Sequence, residues 1–172
     1  VYKRQDYIIN CAAIAGLDFS WQRLDLYSLN NIVAVHNLCD WAKRNMVRRL
    51  VHASTSSVYG SVAVGTESQS LHPASPYGIS KVAGEQIIRA SLSDSNVKFT
   101  ILRYFSVYGP YQRPDMAFAK FIKSMYLNQE LHITGSLDSS RSNTFVDDVV
   151  EATLGIIEKH TEHENEIYNV AG

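Results

Sequence analysis

The 172-residue sequence has only two cysteines, four prolines and no long uninterrupted apolar stretch. Cys11 and Cys39 are too few for a disulfide scaffold and indicate reduced thiols. A membrane-spanning helix needs about 20 consecutive apolar residues, and no segment approaches that length. The opening residues also do not resemble a signal peptide. These absences predict a cytoplasmic protein that has no membrane partner.

The sequence also lacks an excess of charge of either sign. Its 16 Lys and Arg residues are mixed with 17 Asp and Glu residues, which gives a net charge of -1. Nucleic acids and anionic membranes are bound by basic faces, so we expect neither as a partner. The 45% apolar content is that of a folded globular protein. It predicts a single domain over residues 1–172.

Strand-like and helix-like segments alternate along the chain. Helical spacing of apolar residues predicts helices over residues 26–44, 76–92, 116–127 and 147–159. Short apolar runs predict strands over residues 7–11, 49–54, 99–105, 131–133 and 167–170. Because parallel strands need crossover helices, this order predicts an α/β fold in which a doubly wound parallel sheet is covered on both faces.

A Gly-rich phosphate-binding turn between a first strand and helix, the usual dinucleotide fingerprint, does not occur in the sequence. The opening residues have the pattern of a helix end that leads into an internal strand. We therefore expect the sheet to be incomplete, with an upstream βαβ portion lying outside this chain.

Residues 75–81 place a tyrosine and a lysine one helical turn apart. Ser75 is a good N-cap residue and Pro76 suits the first helical position, so Tyr77 lies in the first turn and Lys81 follows on the same face. At ~4 Å and an effective dielectric of ~20, one positive charge is worth about 4 kcal/mol, or roughly 3 pKa units. The pair predicts that Lys81 lowers the pKa of Tyr77 toward neutrality. A chance surface pair is the alternative.

A hydroxyl-rich segment, residues 54–57, follows a predicted strand. It lies at the carboxyl end of the sheet, where α/β proteins bind ligands, and a hydroxyl there can hydrogen-bond a reacting oxygen. The alternative is a loop whose hydroxyls cap their own backbone. Together with Tyr77 and Lys81, the segment favours a catalytic site.

The sequence resembles the extended short-chain dehydrogenases/reductases that act on nucleotide sugars, in the NAD-dependent epimerase/dehydratase family. The resemblance covers nearly the whole chain and implies a Rossmann-type fold, NAD as cofactor, a UDP-sugar or other nucleotide sugar as substrate, and a homodimer when complete. It also implies that residues from about 106 to 145 contribute to a smaller substrate-binding portion. It rests on ordered blocks that comprise residues 10–13, 27–31, 54–60, 75–81, 102–110, 113–116, 145–149 and 168–172.

The resemblance also implies roles for individual residues. Tyr77 would be the general acid/base, Lys81 would hold the nicotinamide ribose and lower the tyrosine pKa, and Thr55 would hydrogen-bond the sugar hydroxyl that is oxidised. The other residues expected to line the cofactor are Ala12, Ala13, Asn31 and Ser54. The substrate is expected to contact Thr55, Ser56, Ser106, Arg113 and Arg141.

Two of the expected substrate contacts come from specific positions in the family pattern. Ser106 stands where many relatives have an asparagine that contacts the substrate phosphates. Arg141 matches the arginine that grips the diphosphate, a role that suits the guanidinium fork. No metal site is predicted, because the His and Glu cluster within residues 160–164 has the pattern of a solvated loop.

Departures from the family pattern narrow the expected reaction. Sugar-nucleotide 4,6-dehydratases have Asp-Glu after the threonine, whereas this chain has Ser56 and Ser57, and the glutamate typical of UDP-glucuronate decarboxylases is also absent. The resemblance therefore favours an NAD-dependent nucleotide-sugar 4-epimerase of the UDP-glucose/galactose or UDP-glucuronate type. A dehydratase, a reductase and a non-catalytic dinucleotide-binding protein are the alternatives. Ser142 and Asn143 replace the usual Asp-Phe and leave the substrate contact open.

One expectation concerns the isolated chain. Because the phosphate-binding turn lies outside it, residues 1–172 alone are expected to bind NAD weakly and to show no turnover.

Overall fold

The computed structural model describes residues 5–131, 133, 141–159 and 165–172. Within them, four parallel strands form one sheet in the order β1-β2-β3-β6. The predicted α/β fold with a parallel sheet is confirmed. The strands are β1 Tyr7–Asn10, β2 Arg49–Thr55, β3 Lys98–Tyr104 and β6 Glu166–Val170.

Helices precede or follow the strands as the alternating pattern predicts. The described helices are α1 Asp18–Gln22, α2 Leu24–Ser28, α3 Ala34–Arg44, α4 Pro76–Leu92, α5 Ala117–Tyr126 and α6 Val146–Glu158. A π-helical turn, Leu29–Val33, joins α2 to α3, and a 3-10 helix, Ser56–Tyr59, follows β2. Helix α4 begins where predicted, because the Ser75 hydroxyl accepts a hydrogen bond from the Gly78 N–H at 3.1 Å.

The sheet has a hydrophobic core on each face. Alternate residues of a strand point to opposite faces, so Leu50 packs with α3 and α4 while its neighbour Val51 packs with α6. Burying one such aliphatic side chain contributes about 1.5–3 kcal/mol. The first core contains Val35, Cys39, Ala42, Val47, Leu50, Ile88, Leu92, Val97, Phe99 and Ile101. The second contains Val51, Leu102, Val149, Ile156 and Val170.

A second, two-stranded sheet was not predicted. Its parallel strands, β4 Ser106–Tyr108 and β5 Asn143–Phe145, pair Ser106 with Asn143. Each strand is three residues long, too short to show the alternation by which a strand is identified in a sequence. The short helix α1 was missed for the same reason, since its five residues make little more than one turn.

The strand predicted over residues 131–133 is wrong at the two positions that are described. Leu131 and Ile133 lie outside regular structure and are about half exposed, so the apolar run does not enter either core. His132 lies outside the described residues. The cluster within residues 160–164 also lies outside them, and its interpretation as a solvated loop stays a prediction.

Neither cysteine forms a disulfide: Cys11 is exposed and Cys39 is buried in the first core. No helix in the described ranges has the length and apolar character that crossing a membrane would require.

Candidate active site

Thr55 and Tyr77 meet where the carboxyl end of β2 approaches the first turn of α4. The Thr55 hydroxyl lies close enough to Tyr77 to lower the pKa of its phenol. The Thr55 hydroxyl also accepts a hydrogen bond from the Ser57 N–H at 3.2 Å and lies 3.2 Å from the Ser57 hydroxyl. The structure therefore joins the two groups that the sequence predicted to act on one substrate hydroxyl.

Gly78 allows this approach. A Cβ atom added at Gly78 would lie 2.7 Å from the carbonyl oxygen of Ser57, closer than carbon and oxygen atoms tolerate. The first turn of α4 is thus in direct backbone contact with the 3-10 helix that follows β2. Any side chain at position 78 would push Tyr77 away from Thr55.

The surroundings of Tyr77 hold its ring and favour the protonated phenol. The ring packs edge-to-face against Tyr27, with centroids 6.1 Å apart, and the Tyr27 hydroxyl donates to the Gly16 carbonyl at 2.8 Å. Burial raises the pKa of Tyr77, although the nearby Thr55 hydroxyl and the charge of Arg113 act in the opposite direction.

The sequence-based expectation that Lys81 lowers the pKa of Tyr77 is therefore wrong for this arrangement. The Lys81 amine turns toward β2 and donates to the Ala53 carbonyl at 2.6 Å. Burial lowers the pKa of Lys81 itself to about 8, against the opposing effects of Glu85 and Cys11. Helical spacing placed the two residues on one face, but it could not predict where the flexible lysine side chain would bind.

Replacing Lys81 with Met is expected to stabilise the full-length protein. The lysine is 3% exposed, and its folded pKa of about 8 lies below the ordinary 10.5. Between these two pKa values the unfolded chain binds more protons than the folded protein, so the free energy of unfolding rises with pH. The stability present at high pH is lost as the pH falls through 8. We expect Lys81→Met to gain about 1–3 kcal/mol at pH 7 and to flatten this slope.

Urea unfolding at several pH values measures both effects. Lys43→Met is the matched control, because Lys43 is partly exposed and pairs with Asp40 at 3.1 Å. It is expected to change stability by less than about 0.5 kcal/mol at every pH. A Lys81→Met variant that is less stable than wild type by the same amount at all pH values would contradict the expectation.

Asn31 and Ser54, two of the residues predicted to line the cofactor, both have buried side chains. Asn31 is 1% exposed; its amide accepts from the Ile14 N–H at 2.9 Å and donates to the Ile14 carbonyl and the Ser80 hydroxyl. The Ser54 hydroxyl donates to Glu85 at 2.5 Å. Asn31 therefore ties the loop after β1 to α4, and Ser54 belongs to a buried ion-pair cluster.

The loop after β1 carries two more of the residues predicted to line the cofactor. Ala12 and Ala13 are both exposed and have small side chains. The neighbouring Cys11 thiol lies close enough to influence the pKa of Lys81. Small exposed residues thus stand beside the buried lysine at the carboxyl ends of β1 and β2, where α/β folds bind cofactors.

The predicted substrate residues approach the site from several elements. Ser56 lies in the 3-10 helix, and the charge of Arg113 reaches Tyr77. Ser106 begins β4 and pairs in register with Asn143, two residues after Arg141. The β4–β5 pair thereby brings Ser106 and Arg141 to the same end of one small sheet.

Sequence reasoning missed a buried cluster that lies one turn beyond Lys81 on the same face of α4. Arg103 donates twice to the Glu85 carboxylate, at 3.1 and 2.7 Å, and once to the Tyr59 hydroxyl at 2.8 Å. The Tyr59 hydroxyl donates in turn to Asn169 in β6 at 2.7 Å. Two sequence features could have indicated this cluster: Glu85 lies inside a largely apolar helix, and Arg103 lies inside an apolar strand.

The fold agrees with a comparison against known proteins. The model of the NAD-dependent epimerase/dehydratase family matches residues 1–171. The chain belongs to this family.

Similar members of the NAD-dependent epimerase/dehydratase family include sugar-nucleotide epimerases. An uncharacterized UDP-glucose epimerase of Bacillus subtilis, YtcB, is 38% identical over 90% of this chain and 49% of its own length. The structure of a UDP-glucuronic acid 4-epimerase from Bacillus cereus, in complex with UDP-glucuronic acid and NAD, has a TM-score of 0.92 at 36% identity over 97% of this chain and 54% of that one.

A UDP-glucose 4-epimerase of Thermotoga maritima, solved with UDP-glucose, has a TM-score of 0.89 at 31% identity over 96% of this chain and 55% of that one. The chain spans about half the length of the curated relatives it matches. Family members that use an acidic sugar and members that use a neutral sugar thus share this fold.

Proposed function

We infer that the full-length protein is an NAD-dependent nucleotide-sugar 4-epimerase that acts through a transient 4-keto sugar. The observation that carries this inference is the contact between Thr55 and Tyr77, with Lys81 buried one helical turn away. Family membership supports the use of NAD, and the exposed Ala12 and Ala13 beside the lysine suit the nicotinamide end.

Each residue has a defined part in this reaction. Thr55 orients the sugar 4-hydroxyl, and Tyr77 takes its proton while the hydrogen on C4 leaves as hydride. NAD, when bound, accepts and returns that hydride, and its positive charge favours the Tyr77 phenolate. After the ketone turns over, Tyr77 returns the proton to the oxygen as hydride reaches the opposite face of C4, so the net change is inversion alone.

The side chains after Thr55 favour epimerisation over dehydration. Ser57 is within hydrogen-bonding distance of Thr55 at 3.2 Å, and Ser56 lies in the same 3-10 helix. A hydroxyl is a much weaker acid than a carboxyl group, so neither serine replaces the acid/base pair needed to remove water at the neighbouring carbons. The same two positions carry Asp and Glu in 4,6-dehydratases.

The nucleotide diphosphate is proposed to lie along the small sheet. Arg113 and Arg141 are exposed, and Ser106 is half-buried at the start of β4. Arginine pairs readily with phosphate through parallel N–H bonds. Residues from about 106 to 145 would accordingly form the substrate-binding side of one domain over residues 1–172.

Product analysis with the full-length protein tests the reaction. UDP-glucose and UDP-glucuronate carrying deuterium at C4 are incubated separately with the enzyme and NAD, and the products are read by proton NMR and mass spectrometry. We expect the C4 epimer of at least one of them, with unchanged mass and the deuterium retained at C4. Loss of water from the product, or net accumulation of NADH, would instead identify a dehydratase or a net redox enzyme.

Two broader properties belong to the same proposal. Leu29, Val33, Trp41 and Ile79 expose apolar side chains on helices that pack together, which suits a homodimer; the sedimentation coefficient of the full-length protein tests it. The thiols of Cys11 and Cys39 suit a reducing cytoplasm.

A further inference from the structure

Tyr27, a fully buried residue of α2, contacts two separate parts of the candidate site. Its hydroxyl lies 2.8 Å from the carbonyl oxygen of Gly16 and 3.1 Å from that of Ala15, both in the loop after β1. Its ring packs edge-to-face against Tyr77, with the ring planes at 75°. One side chain therefore touches both the loop after β1 and the first turn of α4.

The loop is shaped to present its carbonyl groups to the Tyr27 hydroxyl. A carbonyl oxygen can only accept, so the phenol donates its one hydrogen to Gly16 and Ala15 together. Gly16 has a φ of +112°, which residues with a side chain rarely adopt. A Cβ atom at this position would lie 3.6 Å from the Tyr27 oxygen. The turn at Gly16 thus brings the main chain directly against the phenol.

Asn31, four residues after Tyr27, makes a second connection between the same two parts. Its amide bonds to both the N–H and the carbonyl group of Ile14 in the loop, each at 2.9 Å. It also donates to the Ser80 hydroxyl on α4 at 3.0 Å, and that hydroxyl donates to the Tyr77 carbonyl at 2.7 Å. The loop and the first turn of α4 are therefore joined at two points.

We propose that Tyr27 is a positioning residue that fixes the loop after β1 relative to Tyr77. Its hydroxyl holds the loop, and its ring holds the catalytic phenol. This role rests on the proposed function, in which NAD lies against Ala12 and Ala13 of that loop. Hydride transfer and proton transfer then act on the same carbon and oxygen of the sugar, so the cofactor and the phenol need one relative placement. A misplacement of about 1 Å can lower a rate about 100-fold.

Substitutions can remove the two contacts of Tyr27 separately. Tyr27→Phe keeps the ring against Tyr77 and removes only the hydroxyl, whereas Tyr27→Leu removes both contacts. Asn31 retains its hydrogen bonds to Ile14 and Ser80 in either variant. We therefore expect both variants to fold.

NAD titration and steady-state kinetics of the full-length variants test the two contacts. We expect Tyr27→Phe to weaken NAD binding about 3- to 10-fold, the effect of one lost hydrogen bond, and to keep kcat at saturating NAD within about threefold of wild type. Tyr27→Leu should weaken NAD binding as much and also lower kcat about 10- to 100-fold, with an unchanged KM for the sugar. Unchanged NAD affinity in Tyr27→Phe, or equal kcat values in the two variants, would overturn the proposal.

Amide hydrogen exchange in the NAD-free, full-length protein tests the same contacts without turnover. We expect exchange over residues 11–17 to be faster in both variants, and exchange over residues 77–81 to be faster in Tyr27→Leu alone. Faster exchange along the whole chain in both variants would indicate a general loss of stability and would refute the positioning role.

Tyr104→Phe is the matched control, because it also removes a tyrosine hydroxyl that has a neighbour inside the protein, Thr153 at 2.9 Å. It lies in the core facing α6, so NAD affinity and exchange over residues 11–17 should stay as in wild type. If the full-length protein forms no epimer, NAD titration and hydrogen exchange still decide the role of Tyr27. Failure of this role is therefore distinguishable from failure of the proposed function.

Discussion

Replacing Tyr77 with Phe in the full-length protein is expected to lower kcat for 4-epimerisation by about 10²- to 10⁴-fold, the usual range for losing a positioned acid/base group. The phenylalanine ring keeps the edge-to-face contact with Tyr27, whose centroid lies 6.1 Å away. Only the hydroxyl that contacts Thr55 is removed. The fold and the affinity for NAD should therefore stay close to wild type.

Steady-state kinetics and NAD titration measure the two effects of Tyr77→Phe separately. Tyr104→Phe is the control, because it removes a hydroxyl that contacts Thr153 at 2.9 Å in the core facing α6. It is expected to keep kcat within about threefold of wild type. If Tyr77→Phe kept most of the epimerase activity, the acid/base role assigned here would have to be abandoned.

Replacing Arg103 with Met is expected to destabilise the full-length protein by about 3–5 kcal/mol, the cost of leaving one buried ion without its partner. The Arg103 and Glu85 side chains are 3% and 0% exposed, and their closest atoms are 2.7 Å apart. Methionine fills much of the volume but cannot neutralise the carboxylate. Tyr59 also loses the guanidinium that stacks on its ring at 4.9 Å.

Urea unfolding measures the cost of Arg103→Met, and two further variants separate its causes. Arg23→Met breaks an exposed pair with Asp25 and should leave the urea midpoint close to that of wild type. Adding Glu85→Gln to Arg103→Met removes the unpaired charge and should recover part of the loss. A cost for Arg103→Met no larger than that for Arg23→Met would show that the buried pair contributes little.

The parts of the fold that the sequence predicted are those with strong local signals. Helix α4 begins and ends where predicted, because Ser75 and Pro76 form a capped start and its apolar face meets the first core. Strands β2 and β3 were found within about one residue, since they are continuous buried runs. The β4–β5 pair was missed because strands of three residues are too short to show a sequence pattern. They form only by pairing with each other.

The sequence predicted which residues come together at the site but not which way their side chains point. Spacing placed Tyr77 on the same helical face as Lys81, and the strand end placed Thr55 near them. The Ser54 side chain contacts Glu85 because this face of β2 packs against α4. Asn31 is buried because it lies in a π-helical turn. The raised pKa of Tyr77 depends on tertiary burial, which no local pattern reports.

The backbone contact between Gly78 and Ser57 divides the site into two parts with different freedom to change. The spacing of Thr55 and Tyr77 is set by main-chain atoms that already touch, so ordinary rotamer changes cannot adjust it. Arg113 and Arg141 are exposed side chains on separate segments, where substitution meets little steric resistance. We therefore expect substitutions that change the preferred sugar nucleotide to occur at Arg113 and Arg141, while the carbon atom that reacts stays the same.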